Sequence, residues 1–262
     1  MRYYNTQHQY YCGGDLHARS LYLHILDAQG VTRYEKNLPA NPQAFLEAVA
    51  PFREGLVVGV ECMFAWYWLA DLCEEQRIPF VLGHALGMRC IHDSKTKTDK
   101  IDSMKLAAML RGGLFPQAYV YPKAKRATRD LLRRRSNFVR QRAHLIAHIQ
   151  NTNSQYNHPP FAKKLTYAGN RTMEIVERFE DDSTKLSVQA NLNMIAAYDK
   201  QLMELETHLV RTAKVDDNIT FQLLRTVPGI GPVLGLTLLY EIDNIHRFPE
   251  VGNFLSYSRL VS

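Results

Sequence analysis

Two aspartates, Asp99 and Asp102, stand three residues apart in KTKTDKIDSMKLAAMLR, which runs from Lys95 to Arg111. Leu106, Ala107, Met109 and Leu110 supply the apolar side of a helix that begins near Asp99. Side chains three apart on a helix share a face, so both carboxylates point into the same space. Two readings follow. Aspartate is a favoured cap and suits the first helical turn electrostatically, which requires no chemistry. Alternatively the pair is half of a site for a hard divalent cation, which takes oxygen ligands. Partner acids elsewhere decide between them. Asp15, in GGDLHARS, and Glu61, in VVGVECMFAWYW, each close an apolar run, where a carboxylate is costly unless something pairs with it. Asp15 also reads as a turn residue, and Glu61 as a cap of the next helix. Four such acids brought together could hold Mg2+. Two such ions activate an attacking oxygen and stabilise a leaving one in phosphodiester cleavage.

The elements that would position these acids alternate in type. Tyr10 to Leu16, Ser20 to Leu26 and Val31 to Glu35 read as antiparallel strands, the last two joined by the glycine-bearing turn from Asp27 to Gly30. Pro42 to Phe52 has apolar residues at helical spacing. GLVVGV, from Gly55 to Val60, suits a buried central strand. Ala65 to Leu72 reads as a helix, Ile78 to Leu82 as a strand, and the helix from Asp99 follows. This order predicts a mixed sheet with helices packed on it.

The chain has 262 residues, 46% hydrophobic and 22% charged, which is ordinary for a globular protein. The absence of any apolar run of about 20 residues argues against a bilayer span, and the polar start argues against a signal peptide. Four scattered cysteines, Cys12, Cys62, Cys73 and Cys90, fit reduced thiols in a cytoplasm better than a disulfide framework or a zinc site.

The net charge of +6 is concentrated locally. Lys123, Lys125, Arg126, Arg129, Arg133, Arg134, Arg135, Arg140 and Arg142 stand against Asp130 alone, so the remainder of the chain is slightly acidic. A run of one sign suits a phosphate-binding face, and arginine favours bidentate contacts, although a solvated helix face is the plainer reading. Lys97 and Lys100 would draw phosphates to the acid pair. Leu131, Leu132, Phe138, Val139, Leu145, Ile146 and Ile149 repeat at seven-residue spacing, and a second long helix is expected from Leu186 to Ala213. Asn151 to Gly169 reads as a polar loop between them. The two helices form either an antiparallel coiled-coil arm, a dimer contact or a plain bundle. Near the end, Pro228-Gly229-Ile230-Gly231-Pro232 separates two apolar helical stretches. This is a helix-hairpin-helix pattern whose turn offers Gly229 and Gly231 backbone N–H groups to a phosphate, or else a packing turn.

Asp15, Glu61 and the TDKIDSMKLAAML segment with Asp99 and Asp102 resemble the DEDD-type transposases of insertion sequences, the "one-ten" class related to the Piv and MooV DNA invertases. The resemblance implies an α/β ribonuclease-H-like, RuvC-like domain over residues 1–122. It also implies a helical, coiled-coil region over 123–215 that mediates assembly, and a partial C-terminal transposase domain over 216–262. The implied function is transposition or site-specific recombination of DNA. A Mg2+ site of Asp15, Glu61, Asp99 and Asp102 would act, guided by a bridge RNA, in a homo-oligomer (dimer or tetramer). Cys62 to Ala65 departs from the small residue and glycine usual after the family's glutamate. The family's serine-bearing C-terminal segment has no counterpart before Ser262, so a truncated chain is expected, and none of Ser256, Ser258 and Ser262 inherits the serine's role. The alternative is a non-cleaving protein that binds nucleic acid and assembles. An actin-like ATPase fits poorly, because Asp15-Leu16-His17-Ala18 lacks a glycine-rich phosphate loop.

Overall fold

A computed structural model of the chain describes residues 2–88, 98–213 and 218–260, and the chain divides into two compact units, Met1–Lys123 and Ala124–Ser262. Lys97 and Cys90 lie outside the described residues.

The first unit is built on a five-stranded mixed sheet. Its strands are β2 (Tyr10–Leu16), β3 (Ser20–Asp27), β4 (Thr32–Pro39), β5 (Leu56–Glu61) and β6 (Phe80–Gly83), in the spatial order β4-β3-β2-β5-β6. The first three pair antiparallel, while β5 lies parallel to both β2 and β6. A short pair, β1 (Tyr3–Tyr4) with β7 (Phe115–Pro116), stands beside the sheet. The parallel steps are bridged by α1 (Pro42–Val49) and α2 (Trp66–Glu75). Asn41 caps α1 by accepting from the Ala44 N–H, and Pro42 occupies the first helical position, where its missing N–H costs nothing.

Both faces of the sheet are covered, which is why Leu56 to Val60 is apolar without alternation. On one face Cys12, Leu16, Leu21, Leu23, Ile25, Val58 and Val60 pack with Phe45 and Val49 of α1 and with Trp66 and Leu69 of α2. On the other, Tyr11, Val57 and Val81 pack with Phe115 and with Leu106 and Leu110 of α3 (Asp99–Arg111). Thr98 caps α3, accepting from the Ile101 N–H, so neither aspartate is the cap. The helix closes with Gly113 at φ +69, the Gly113 N–H donating to Leu110 and the Leu114 N–H to Met109. That double bond to a glycine-terminated helix satisfies carbonyls that would otherwise be orphaned.

The second unit is helical. α4 (Lys123–Gln155) and α6 (Asp182–Thr212) are the long members, with the one-turn α5 (Glu174–Glu177) between them. Cross-helix contacts run in opposite chain directions: Arg135 meets Glu206, Arg142 meets Asp199, and His148 meets Asn191. The two helices are therefore antiparallel neighbours. The expected polar loop begins later than predicted, because α4 continues to Gln155. Its segment is structured. Leu165, Ile175, Val176 and Phe179 pack on Ile149, Val188 and Ile195, while buried Asn153 donates to the His158 and Pro159 carbonyls. After α6 come α7 (Asn218–Thr226), α8 (Pro232–Ile242) and α9 (Val251–Tyr257). Leu236 and Tyr240 of α8 pack with Leu132 and Leu209. No helix among the described residues is long and apolar enough to cross a membrane.

Candidate active site

Register and alternation place the acids. Gly13 pairs with Gly59 and Gly14 with Val60 across the parallel β2–β5 step, so Asp15 and Glu61 come next on neighbouring strands, both at carboxyl ends. Side chains alternate along a strand, so Tyr11, Gly13 and Asp15 share a face, as do Val57, Gly59 and Glu61. Tyr11 and Val57 pack against α3, which identifies this as the face that carries Asp99 and Asp102. Neither plain reading from the sequence survives here. Asp15 lies within β2, ahead of the turn that His17 and Ser20 close. The helix after Glu61 starts at the N-cap Ala65, with no side-chain cap.

Glycines bring the helix down onto the strands. A Cβ at Gly13 would overlap the Ser103 carbonyl oxygen and the Ala107 nitrogen, both α3 backbone atoms. At Gly59 a Cβ would lie 2.7 Å from Leu110 Cδ1 and 2.9 Å from Phe115 Cζ. The paired glycines therefore remove one layer of side chains between sheet and helix, and the start of α3 arrives beside the strand ends.

The carboxylates form an electrostatically loaded group. Asp102 is only 9% exposed, and its buried Oδ1 has no hydrogen-bond partner among the described residues. Burial pushes the Asp15 carboxyl above its usual range; the His17 imidazole draws it down, and the charges of Asp99 and Asp102 push it up again. Asp15, Asp99 and His17 present ligand-type atoms within 4.8 Å of one another, with His17 Nε2 at 3.4 Å from Asp15 Oδ2 and 3.6 Å from Asp99 Oδ1. Sequence reasoning missed His17, although its spacing of two from a strand-end acid is the signal that marks a shared strand face. Such a group of acids, with an imidazole at its rim, has the chemistry of a divalent-cation site.

The predicted phosphate contacts are differently placed. Lys100 is tied to Glu35 at 2.6 Å, and Glu35 also accepts from the Tyr22 hydroxyl, which tethers the first turn of α3 to the outer strands. Lys123 lies 3.5 Å from Asp71. Within the helical unit Lys125 pairs with Asp243, Arg129 and Arg133 with Glu241, Arg135 with Glu206, and Arg142 with Asp199. Arg126 and Arg129 are buried. Arg134 and Arg140 are exposed. Gly229, at φ +90, and Gly231 form the turn between α7 and α8, with open space around both.

The site thus lies at the carboxyl edge of an α/β sheet, in a chain whose second unit is helical. Residues 12–158 match the DEDD transposase family of IS110, and residues 221–262 match the family described as transposase IS116/IS110/IS902. The chain belongs to the IS110 family of transposases. No curated protein matches it.

Proposed function

We propose that Asp15, Glu61, Asp99 and Asp102 form a Mg2+ site on a ribonuclease-H-like, RuvC-like domain and act on phosphodiester bonds of DNA. The observation that carries this reading is the buried Asp102 carboxylate, one of whose oxygens has no partner among the described residues, beside an Asp15 that burial and the charges of Asp99 and Asp102 push up. Anions crowded together and withdrawn from water are costly unless a cation shares the space. The donor set is oxygen-rich, which fits a hard cation. When bound, the metal would polarise the scissile phosphate and activate an attacking oxygen. The chain's own part is positional. Packing of α3 on Gly13 fixes Asp99 and Asp102, and the β2–β5 register fixes Asp15 against Glu61.

Within this reading residues 1–122 form the catalytic domain, 123–215 an assembly arm and 216–262 part of a second transposase domain. The antiparallel helix pair supports a coiled-coil arm. Exposed Ile219, Leu223 and Val251 supply the kind of apolar surface that a second copy covers, in a dimer or tetramer. The family resemblance adds a bridge RNA as guide and the cytoplasm as the place of action. Exposed Arg134 and Arg140 are the phosphate contacts left by the ion pairing, with the Gly229 to Gly231 turn as a second one.

The test is the Asp102→Asn variant of the whole chain. Mg2+-dependent DNA processing should be abolished and the Mg2+-induced rise in Tm lost, while RNA binding stays within about threefold, since nucleic-acid affinity rests on cationic contacts elsewhere. Unchanged processing overturns the site. Nucleic-acid binding with no metal-dependent processing in the unmodified chain favours a non-cleaving binding and assembly protein instead.

A further inference from the structure

We propose that His17 is a direct nitrogen ligand of the cation held by this acidic group, making the site a mixed oxygen–nitrogen centre that favours Mn2+ over Mg2+. The proposal rests on the four-acid reading above and adds a residue which that reading does not contain.

Three observations carry it. One ring nitrogen, Nε2, reaches both Asp15 and Asp99, at 3.4 and 3.6 Å. These separations exceed a good N–H···O bond, whose heavy atoms sit about 2.7–3.2 Å apart. They are also shorter than the span across a divalent cation, about 4.2 Å for bonds of about 2.1 Å, so one ion can reach all three atoms. The imidazole is thus shared between the two carboxylates, and all three atoms lie close enough together to bind one cation.

The second observation is the backbone. His17 follows Asp15 by two residues, and its N–H donates to the Ser20 carbonyl at 2.9 Å, which closes the β2–β3 hairpin. The ring is therefore carried on a hydrogen-bonded turn rather than a loose loop. Its side chain is 46% exposed, so it occupies the open rim of the group rather than its base.

The third observation is independent of His17. The Asp102 oxygen that lacks a partner among the described residues is buried in the same group, within electrostatic reach of Asp15. A buried carboxylate oxygen and an imidazole thus both stand next to Asp15, which offers the group both donor types. Carboxylates suit Mg2+, Ca2+ and Mn2+, whereas an imidazole adds preference for first-row transition ions and little for Mg2+.

The test uses Mn2+ as its probe. The full chain and the His17→Gln variant are loaded with Mn2+, and electron spin-echo modulation reports whether 14N is coordinated. Mn2+ and Mg2+ affinities are measured alongside by titration calorimetry. The expected result is 14N modulation in the unmodified chain, lost in His17→Gln. Mn2+ affinity should fall at least about tenfold in the variant, with Mg2+ affinity changing far less. Bound Mn2+ without 14N modulation, or modulation that persists in His17→Gln, overturns the role of His17 and leaves the four-acid site standing. No stoichiometric Mn2+ binding by the unmodified chain overturns both. Measurement on the unmodified chain alone decides the matter if the variant fails to fold.

Discussion

At the scale of single residues, the protein sorts its charges into two kinds. Asp15 is held where its charge is costly, whereas Glu241 is held where its charge is welcome. Burial pushes the Glu241 carboxyl up, but Arg133 and Arg129 outweigh it and hold it below its usual range. Because the folded value lies below that of the unfolded chain, this stabilisation is fully present above the ordinary glutamate range, near about 4.3. It is lost as pH falls through the lowered folded value. Replacing Glu241 by Gln also removes the carboxylate that Arg129 and Arg133 share. The variant should lose on the order of 3 kcal/mol at neutral pH. Denaturant unfolding of both proteins as pH is lowered should show the gap narrowing in acid; a gap constant with pH would detach it from this carboxylate. Residues of this kind are hard to read from a sequence. Glu241 sits among apolar neighbours in LLYEI, and nothing local says that its partners lie more than a hundred positions earlier. His17 was missed as well, although its spacing of two from Asp15 is a signal that the sequence does carry.

At the scale of elements, α3 and the strands beneath it act together. Gly13→Ala would force a methyl into the α3 backbone, whereas at Gly14 a Cβ would meet side-chain ends, Val60 Cγ1 at 3.0 Å, Leu21 Cδ1 at 3.3 Å and Leu23 Cδ2 at 3.4 Å. Backbone cannot yield as side-chain ends do. Gly13→Ala should therefore cost about 3 kcal/mol or more, and Gly14→Ala about 1 kcal/mol. Thermal unfolding distinguishes them, and only the former should also remove metal-dependent processing. Equal effects at the two positions would mean that α3 does not rest on Gly13. The strands from Tyr10 to Leu26 and the helices of the first unit were readable because their apolar periodicity is local. The end of β4 at Pro39 was not. It is a largely exposed strand whose pairing with β3, rather than any apolar pattern, makes it extended. The extension of α4 to Gln155 was missed for a related reason: Asn151, Thr152, Asn153 and Ser154 favour caps and turns in isolation. Here Asn153 instead becomes the buried anchor of the segment that follows.

At the scale of the whole molecule, the surplus of positive charge in the sequence overstates what is free to meet nucleic acid. Acids at Asp199, Glu206, Glu241 and Asp243 are matched to basic residues of α4. Neutralising Arg133 or Arg135 would disturb folding as well as binding. Arg134→Ala with Arg140→Ala is the cleaner change. It should weaken binding to duplex DNA across sequences, lower the slope of log affinity against log salt by about 1–2, and leave Tm unaltered. An unchanged slope would remove α4 from the nucleic-acid surface.

The ion pairs between the long helices carry a further consequence. Arg135 and Arg142 are seven residues apart on one helix, and Asp199 and Glu206 are seven apart on the other, so two charged rungs form together. Sliding the helices by one heptad, about 10 Å, would leave one rung in place of two. The pair thus carries its own ruler: charge, as well as packing, sets how far the two helices overlap.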